Sequence, residues 1–223
     1  MVRFAATLVA DRERLRIHAE ARSKLSARKM AEVLLFHHVH GLTKGTLDFA
    51  DLLRNRGHVV HAPDLYEGRT FATLGDGLAH ARAIGFPAIV ARGARAAATL
   101  SSRLVYAGFS LGVMPAQMLA QTRAGARGAL LFHGCVPFTE FSPHWPAAVP
   151  VQVHAMERDS SFVDEGDLDA ARALLEETAA AELFLYPGNR HLFADSSLAE
   201  YDADATRLLV SRVVDFLAAC RPC

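Results

Sequence analysis

Residues 105–112, Val-Tyr-Ala-Gly-Phe-Ser-Leu-Gly, form an apolar run that ends in the pattern Gly-x-Ser-x-Gly. This pattern is typical of a nucleophile elbow, a sharp strand-to-helix turn that exposes a serine hydroxyl. Gly108 and Gly112 suit such a turn, because side chains there would collide with the neighbouring strand and helix. Residues 103–107 (RLVYA) predict a buried parallel strand before the turn, and Val113 to Thr122 (VMPAQMLAQT) predict the helix after it.

The chain on both sides of this turn alternates between strand and helix patterns. The predicted strands are Val33–His37, His58–Ala62, Leu104–Ala107, Gly128–His133, Val151–Ala155 and Glu182–Tyr186. The predicted helices are Gly45–Arg56, Asp76–Ile84, Pro87–Leu100, Ser110–Thr122, Asp167–Ala179 and Asp202–Ala219. Strands that are apolar on both faces and separated by helices predict an α/β fold, a mostly parallel sheet sandwiched by helices.

Composition sets the broad class. The 223 residues suit one domain with a sizeable core, with 51% apolar and 22% charged residues. Lys and Arg total 24, as do Asp and Glu, so we expect no nucleic-acid partner and no anionic membrane partner. No apolar run approaches the 18 or so residues of a membrane span. Three cysteines do not suggest a disulfide framework, and a cytoplasmic location is expected.

Residues 1–29 differ from the rest, being rich in Arg and Ala and without a convincing strand. A targeting peptide is disfavoured by their acidic residues. Two other interpretations remain, a helical appendage and translation that begins at Met30, and we favour the second. We therefore predict an N-terminal extension over 1–29 and one domain over 30–223.

A serine nucleophile needs a histidine base and an acid that orients this base. Hydrolases with a nucleophile elbow carry these groups in the order nucleophile, acid, histidine. Asp159 and His191 each follow a predicted strand and satisfy that order after Ser110. Asp164 is a rival acid. Taken singly, Ser110 could be a helix N-cap, Asp159 a turn residue and His191 a solvated loop residue, but their joint placement favours a catalytic triad.

Two backbone N–H groups must stabilise the oxyanion of acyl transfer. We expect them from Leu111, next to the nucleophile, and from Val39, in the loop after the first strand. His38 and His40 flank Val39 and are expected to line the mouth of the substrate pocket. With His37 they form a histidine cluster, but no carboxylate spacing typical of a metal site accompanies them, so no metal is expected.

The chain resembles the dienelactone hydrolase family of the α/β-hydrolase superfamily. The matching stretches are VLLFHHVHGL, GHVVHAPDLYEGRTF, YAGFSLGVMPAQ, VHAMERDSSF and YPGNRHLFADSS. The resemblance implies an α/β-hydrolase fold with no lid domain. It also implies a triad on Ser110, Asp159 and His191 and an oxyanion hole from Leu111 and Val39.

The chain departs from the best-known members of this family at three positions. They carry a cysteine where Ser110 stands, a glutamate where His38 stands, and a carboxylate-binding arginine where Asp195 stands. Asp195 is therefore expected to repel an anionic substrate in the pocket, and Arg69 is a candidate anion contact. These departures predict a preference for neutral esters or lactones over dienelactone.

Taken together, the sequence predicts a cytoplasmic serine hydrolase that cleaves a small ester or lactone through an acyl-enzyme. It would need no cofactor and act as a monomer or small homo-oligomer. Two alternatives remain. One is a flavodoxin-like domain whose Gly108–Gly112 turn cradles a phosphate. The other is an α/β-hydrolase-fold binding module without catalysis.

Overall fold

Six parallel strands form one sheet through the centre of the fold. The computed structural model describes residues 30–220, so the prediction for residues 1–29 lies outside the described residues. The strands are β1 (Glu32–Phe36), β2 (Val59–His61), β3 (Val105–Phe109), β4 (Gly128–Phe132), β5 (Val151–Met156) and β6 (Ala181–Tyr186). Their spatial order is β2-β1-β3-β4-β5-β6, and every described pair is parallel. The predicted strands are all present within one or two residues.

Helices connect the strands and cover both faces of the sheet. They are α1 (Lys44–Arg54), α2 (Leu74–Ile84), α3 (Phe86–Ala98), α4 (Val113–Thr122), α5 (Ser160–Val163), α6 (Asp167–Glu177) and α7 (Ala203–Ala219). Two corrections apply to the predicted helices. Residues 110–112 form a 3-10 turn before α4, and the short helix α5 was not predicted. Short helices lack the long apolar periodicity by which a helix is predicted from sequence.

The two cores follow the alternation of side chains along each strand. On β1, Leu34 and Phe36 face one core, which α2, α3, α4 and α6 complete, whereas Val33 and Leu35 face the other, which α1 and α7 complete. The central strands are buried on both sides, which is why they are continuously apolar in the sequence.

This topology determines where a site can form. The chain leaves β1 to form β2 at one side and then returns to form β3 at the other side of β1. Crevices beyond the carboxyl ends of strands at such a reversal are the usual ligand sites of parallel sheets. The register pairs Phe36 with Gly108, so the loop after β1 emerges beside the turn after β3. Met156 likewise pairs with Tyr186, so the loops after β5 and β6 emerge together.

The connections at this edge are loops and short turns. Within residues 30–220, no inserted domain forms a lid over the strand ends. None of the described helices is long and apolar enough to cross a bilayer.

Candidate active site

Ser110 occupies a strained turn directly after β3. Its φ is +46°, a left-handed conformation that costs a non-glycine residue about 1–3 kcal/mol. Both flanking glycines are required by space. A Cβ on Gly108 would lie 2.0 Å from the carbonyl oxygen of Gly112, and a Cβ on Gly112 would lie 2.5 Å from that of Phe36. This is the geometry expected of a nucleophile elbow.

The structure brings Ser110, His191 and Asp159 together in a hydrogen-bonded chain. The Ser110 Oγ lies 2.8 Å from His191 Nε2, and His191 Nδ1 lies 2.7 Å from Asp159 Oδ2. The Asp159 carboxylate is buried, while the imidazole of His191 is partly exposed. With Nδ1–H donated to the carboxylate, Nε2 is free to accept the serine proton. A turn that only binds a phosphate would need neither the Ser110–His191 nor the His191–Asp159 hydrogen bond.

Asp159 also begins the short helix α5, where its Oδ1 accepts the N–H of Ser161 at 3.1 Å. This cap holds the carboxylate in place without occupying the oxygen that faces His191. The rival acid, Asp164, is exposed at the opposite end of α5. The geometry therefore favours Asp159 as the orienting acid.

The two candidate oxyanion donors line the same cavity as Ser110. Leu111 and Val39 both line a cavity of about 220 Å³ together with Ser110 and His191. The loop that carries Val39 is packed against α2, where a Cβ on Gly77 would lie 2.3 Å from the Val39 carbonyl oxygen. Glycine at this position lets the helix approach closely enough to support the loop.

His191 lies between two cavities. Besides the small cavity that contains Ser110, it lines a larger cleft of about 860 Å³. His40, Phe71 and Leu198 are among the residues that line this cleft. His40 lies in the lining of this cleft, and its Nδ1 lies 2.9 Å from the carbonyl oxygen of Phe71.

The other three expected pocket residues are placed differently. His38 and Asp195 are buried and lie 2.8 Å apart, Nε2 to Oδ2, and neither lines the two cavities at Ser110 and His191. Arg69 is exposed and also lies outside the lining of both cavities. Asp195 therefore does not contact a ligand bound in either cavity. A Cβ on Gly45 would lie 1.7 Å from its Oδ1, so the site is tightly filled.

Asp195 is instead the centre of a buried polar network. It accepts hydrogen bonds from His38, Thr43 and both the N–H and the hydroxyl of Ser197. Burial alone would raise the pKa of this carboxyl, but the hydrogen bonds outweigh it and hold the pKa well below its usual range. Burial lowers the pKa of His38. We therefore describe the pair as a neutral imidazole that donates Nε2–H to a carboxylate.

The histidine cluster has structural partners. His37 bonds the N–H of Leu65 at 3.0 Å, and burial lowers its pKa to about 4. His38 bonds Asp195, and His40 bonds the backbone at Phe71. Among the described residues, no group of three or more His, Cys, Asp or Glu side chains is arranged to hold a metal ion.

Two residues of the small cavity were not identified from the sequence. His133 follows β4 with φ +58°, and Asp167 begins α6. His133 ends a predicted strand, and ligand sites of parallel sheets lie at the carboxyl ends of strands. This position was the sequence signal that could have identified His133 as a cavity residue. Asp167 has no such signal, because an aspartate in the first turn of a helix is ordinary.

Comparisons with known proteins give the family and the fold of this chain. The sequence model of the dienelactone hydrolase family matches residues 17–220. No curated protein matches the chain.

Solved structures share the fold. One protein, named m3DLH, is 18% identical with a TM-score of 0.69, covering 87% of this chain and 88% of its own. A dienelactone hydrolase-like promiscuous phosphotriesterase from metagenomic libraries is 19% identical with a TM-score of 0.63. The match covers 86% of this chain and 87% of that protein. A cold-adapted esterase from an Arctic intertidal metagenomic library is 18% identical with a TM-score of 0.63. The match covers 87% of this chain and 84% of the esterase. The predicted α/β-hydrolase fold is confirmed.

Proposed function

This chain belongs to the dienelactone hydrolase family and is a carboxylic ester hydrolase, and we propose that it cleaves small esters or lactones through an acyl-serine intermediate. The observation that carries the proposal is the hydrogen-bonded chain from Asp159 through His191 to Ser110. Its serine lies on the strained turn that exposes a nucleophile. No cofactor is needed for this chemistry.

In the first half of the reaction, the Ser110 Oγ attacks the ester carbonyl while His191 Nε2 takes the hydroxyl proton. Asp159 stabilises the imidazolium that forms and remains ionised. The N–H groups of Leu111 and Val39 are the proposed donors to the tetrahedral oxyanion. The C–O bond to the leaving group then breaks, and His191 returns the proton to the leaving oxygen.

In the second half, His191 removes a proton from water, whose oxygen attacks the acyl carbonyl. The ester bond to Ser110 breaks, and the serine oxygen recovers the proton from His191. Products are the carboxylic acid and, from the first half, the alcohol. For a lactone both groups are on one molecule, the hydroxy acid.

The two cavities support an assignment of substrate parts. Ser110 lines the small cavity of about 220 Å³ and His191 lines both cavities, so the acyl part belongs in the small one. The leaving group, which His191 must protonate, belongs in the larger cleft. The small cavity has about a quarter of the volume of the cleft, about 220 Å³ against about 860 Å³. The proposed substrates therefore have short acyl chains.

The test is a series of p-nitrophenyl esters with acyl chains from acetyl to decanoyl. We expect kcat/KM to fall steeply once the acyl chain exceeds the small cavity. Ser110→Ala should lower turnover by several orders of magnitude, since triad residues act as a unit, and a fluorophosphonate should add one covalent mass at Ser110. Exposed Ser160 provides the matched control, Ser160→Ala. Activity that survives Ser110→Ala would refute the proposal.

A further inference from the structure

One wall of the small acyl cavity is rich in hydrogen-bond acceptors. Glu165, Asp167, Ser161 and His133 all line this cavity together with Ser110. Among the described residues that line it there is neither a lysine nor an arginine. A ligand group bound against this wall therefore meets negative charge that no lining side chain neutralises.

Asp167 is held close to the reacting serine. Its Oδ1 accepts the N–H of Cys135 at 2.6 Å. A Cβ on Gly134 would lie 3.2 Å from the same oxygen and 3.5 Å from the Ser110 Cα. Burial raises the pKa of Asp167 to about 6. The carboxyl is thus a partly desolvated group with acceptor capacity left over.

His133 faces the same cavity with both ring nitrogens unpartnered among the described residues. Its ring is 1% exposed, stacks on Phe109 and meets Phe193 edge-on. Burial holds its pKa well below the usual range, so the ring is neutral and offers one acceptor nitrogen. A buried polar group without a partner is costly. A bound ligand that donates a hydrogen bond would satisfy the acceptor nitrogen and so lower this cost.

We propose that this wall binds a protonated amino group on the acyl part of the substrate, so that the preferred substrates are aminoacyl esters. The inference rests on the proposed function. A primary ammonium has three N–H donors and no acceptor. The Asp167 carboxylate, the unprotonated nitrogen of His133 and the Ser161 hydroxyl offer three acceptors to it. A carboxylate in the same place would face Asp167 and Glu165 and be repelled.

The experiment compares three p-nitrophenyl esters: the cationic 3-aminopropanoate, its neutral isostere butanoate, and the anionic hemisuccinate. Each enzymatic kcat/KM is divided by the rate of hydroxide hydrolysis, which removes differences in intrinsic reactivity. We expect the order cationic, neutral, anionic, with the first about tenfold above the second, since a charge-assisted hydrogen bond has this magnitude. This order is measured on the wild-type chain and needs no variant.

Asp167→Asn should lower the cationic-to-neutral ratio about tenfold, because the amide retains the shape but not the charge. The control is Asp169→Asn, which removes an exposed carboxylate from the same first turn of α6, outside the cavity. It should leave the ratio unchanged.

The outcomes separate the two proposals. If the wild-type chain hydrolyses none of the three esters, the proposed function and this inference both fail. If butanoate is hydrolysed but the cationic ester is not preferred, the inference alone fails. It also fails if a folded Asp167→Asn variant keeps the wild-type ratio.

Discussion

Replacement of Asp195 by asparagine tests the buried network beneath the active site. The carboxylate accepts four hydrogen bonds, from His38, Thr43 and two groups of Ser197. The amide oxygen can keep the first two, but its NH₂ group then faces the Ser197 N–H. An N–H of the buried amide then lacks an acceptor, which costs about 1–3 kcal/mol, and the retained bonds lose their charge assistance at about 1 kcal/mol each. The expected loss in the free energy of unfolding is therefore about 4 kcal/mol.

The assay is urea unfolding at pH 7, followed by circular dichroism. With a denaturant dependence of roughly 3 kcal/mol per M, the midpoint should fall by more than about 1 M. Asp48→Asn is the matched control, because Asp48 also accepts hydrogen bonds, from Lys44 and Ser196, but is exposed. Its midpoint should not move measurably. An Asp195→Asn midpoint within about 0.3 M of wild type would refute the buried-acceptor argument.

The same variant should be less active under conditions where it is folded. His38 Nδ1 accepts the N–H of His40 at 3.3 Å while its Nε2–H is donated to Asp195. An amide oxygen accepts the Nε2–H more weakly than a carboxylate, so His38 and the loop around Val39 are held less firmly. Because Val39 is a proposed oxyanion donor, kcat should fall more than KM changes.

Three further predictions concern the triad, the pH dependence of stability and the chain start. Asp159→Asn should lower kcat by about 10⁴-fold, the magnitude known for an orienting carboxylate, whereas Asp164→Asn should have little effect; the reverse ranking in steady-state assays would identify the wrong acid. Burial lowers the pKa of four histidines: His37, His38, His133 and His154. As pH falls below the unfolded value of about 6.5, the unfolded chain binds protons that the folded chain does not, so the free energy of unfolding should drop by up to about 1.4 kcal/mol per pH unit for each histidine. Urea midpoints should fall accordingly, and midpoints that are equal at pH 7.5 and pH 5 would contradict this. A chain that begins at Met30 should fold, melt within a few degrees of the full chain and remain active, and failure to fold would show that residues 1–29 are part of the domain.

Much of the active site was predictable because its residues follow strands. The Gly108–Gly112 turn comes after an apolar strand, and Asp159 and His191 come after two others. In a parallel sheet all these strand ends meet at one edge, so residues far apart in sequence are brought together by topology alone. Their catalytic roles, the cytoplasmic location and the oligomeric state stay predictions.

The sequence by itself determined the fold class and the nucleophile turn, since both depend on local patterns. Only the tertiary structure decided the partners of the charged groups. Asp195 was expected in the substrate pocket. It is instead buried in a hydrogen bond with His38, which is 157 residues away in the sequence. His133 and Asp167 line the small cavity for the same kind of reason, through the packing of the loop after β4 against the start of α6. Burial and hydrogen-bond partners are properties of long-range packing, and no local pattern of residues encodes them.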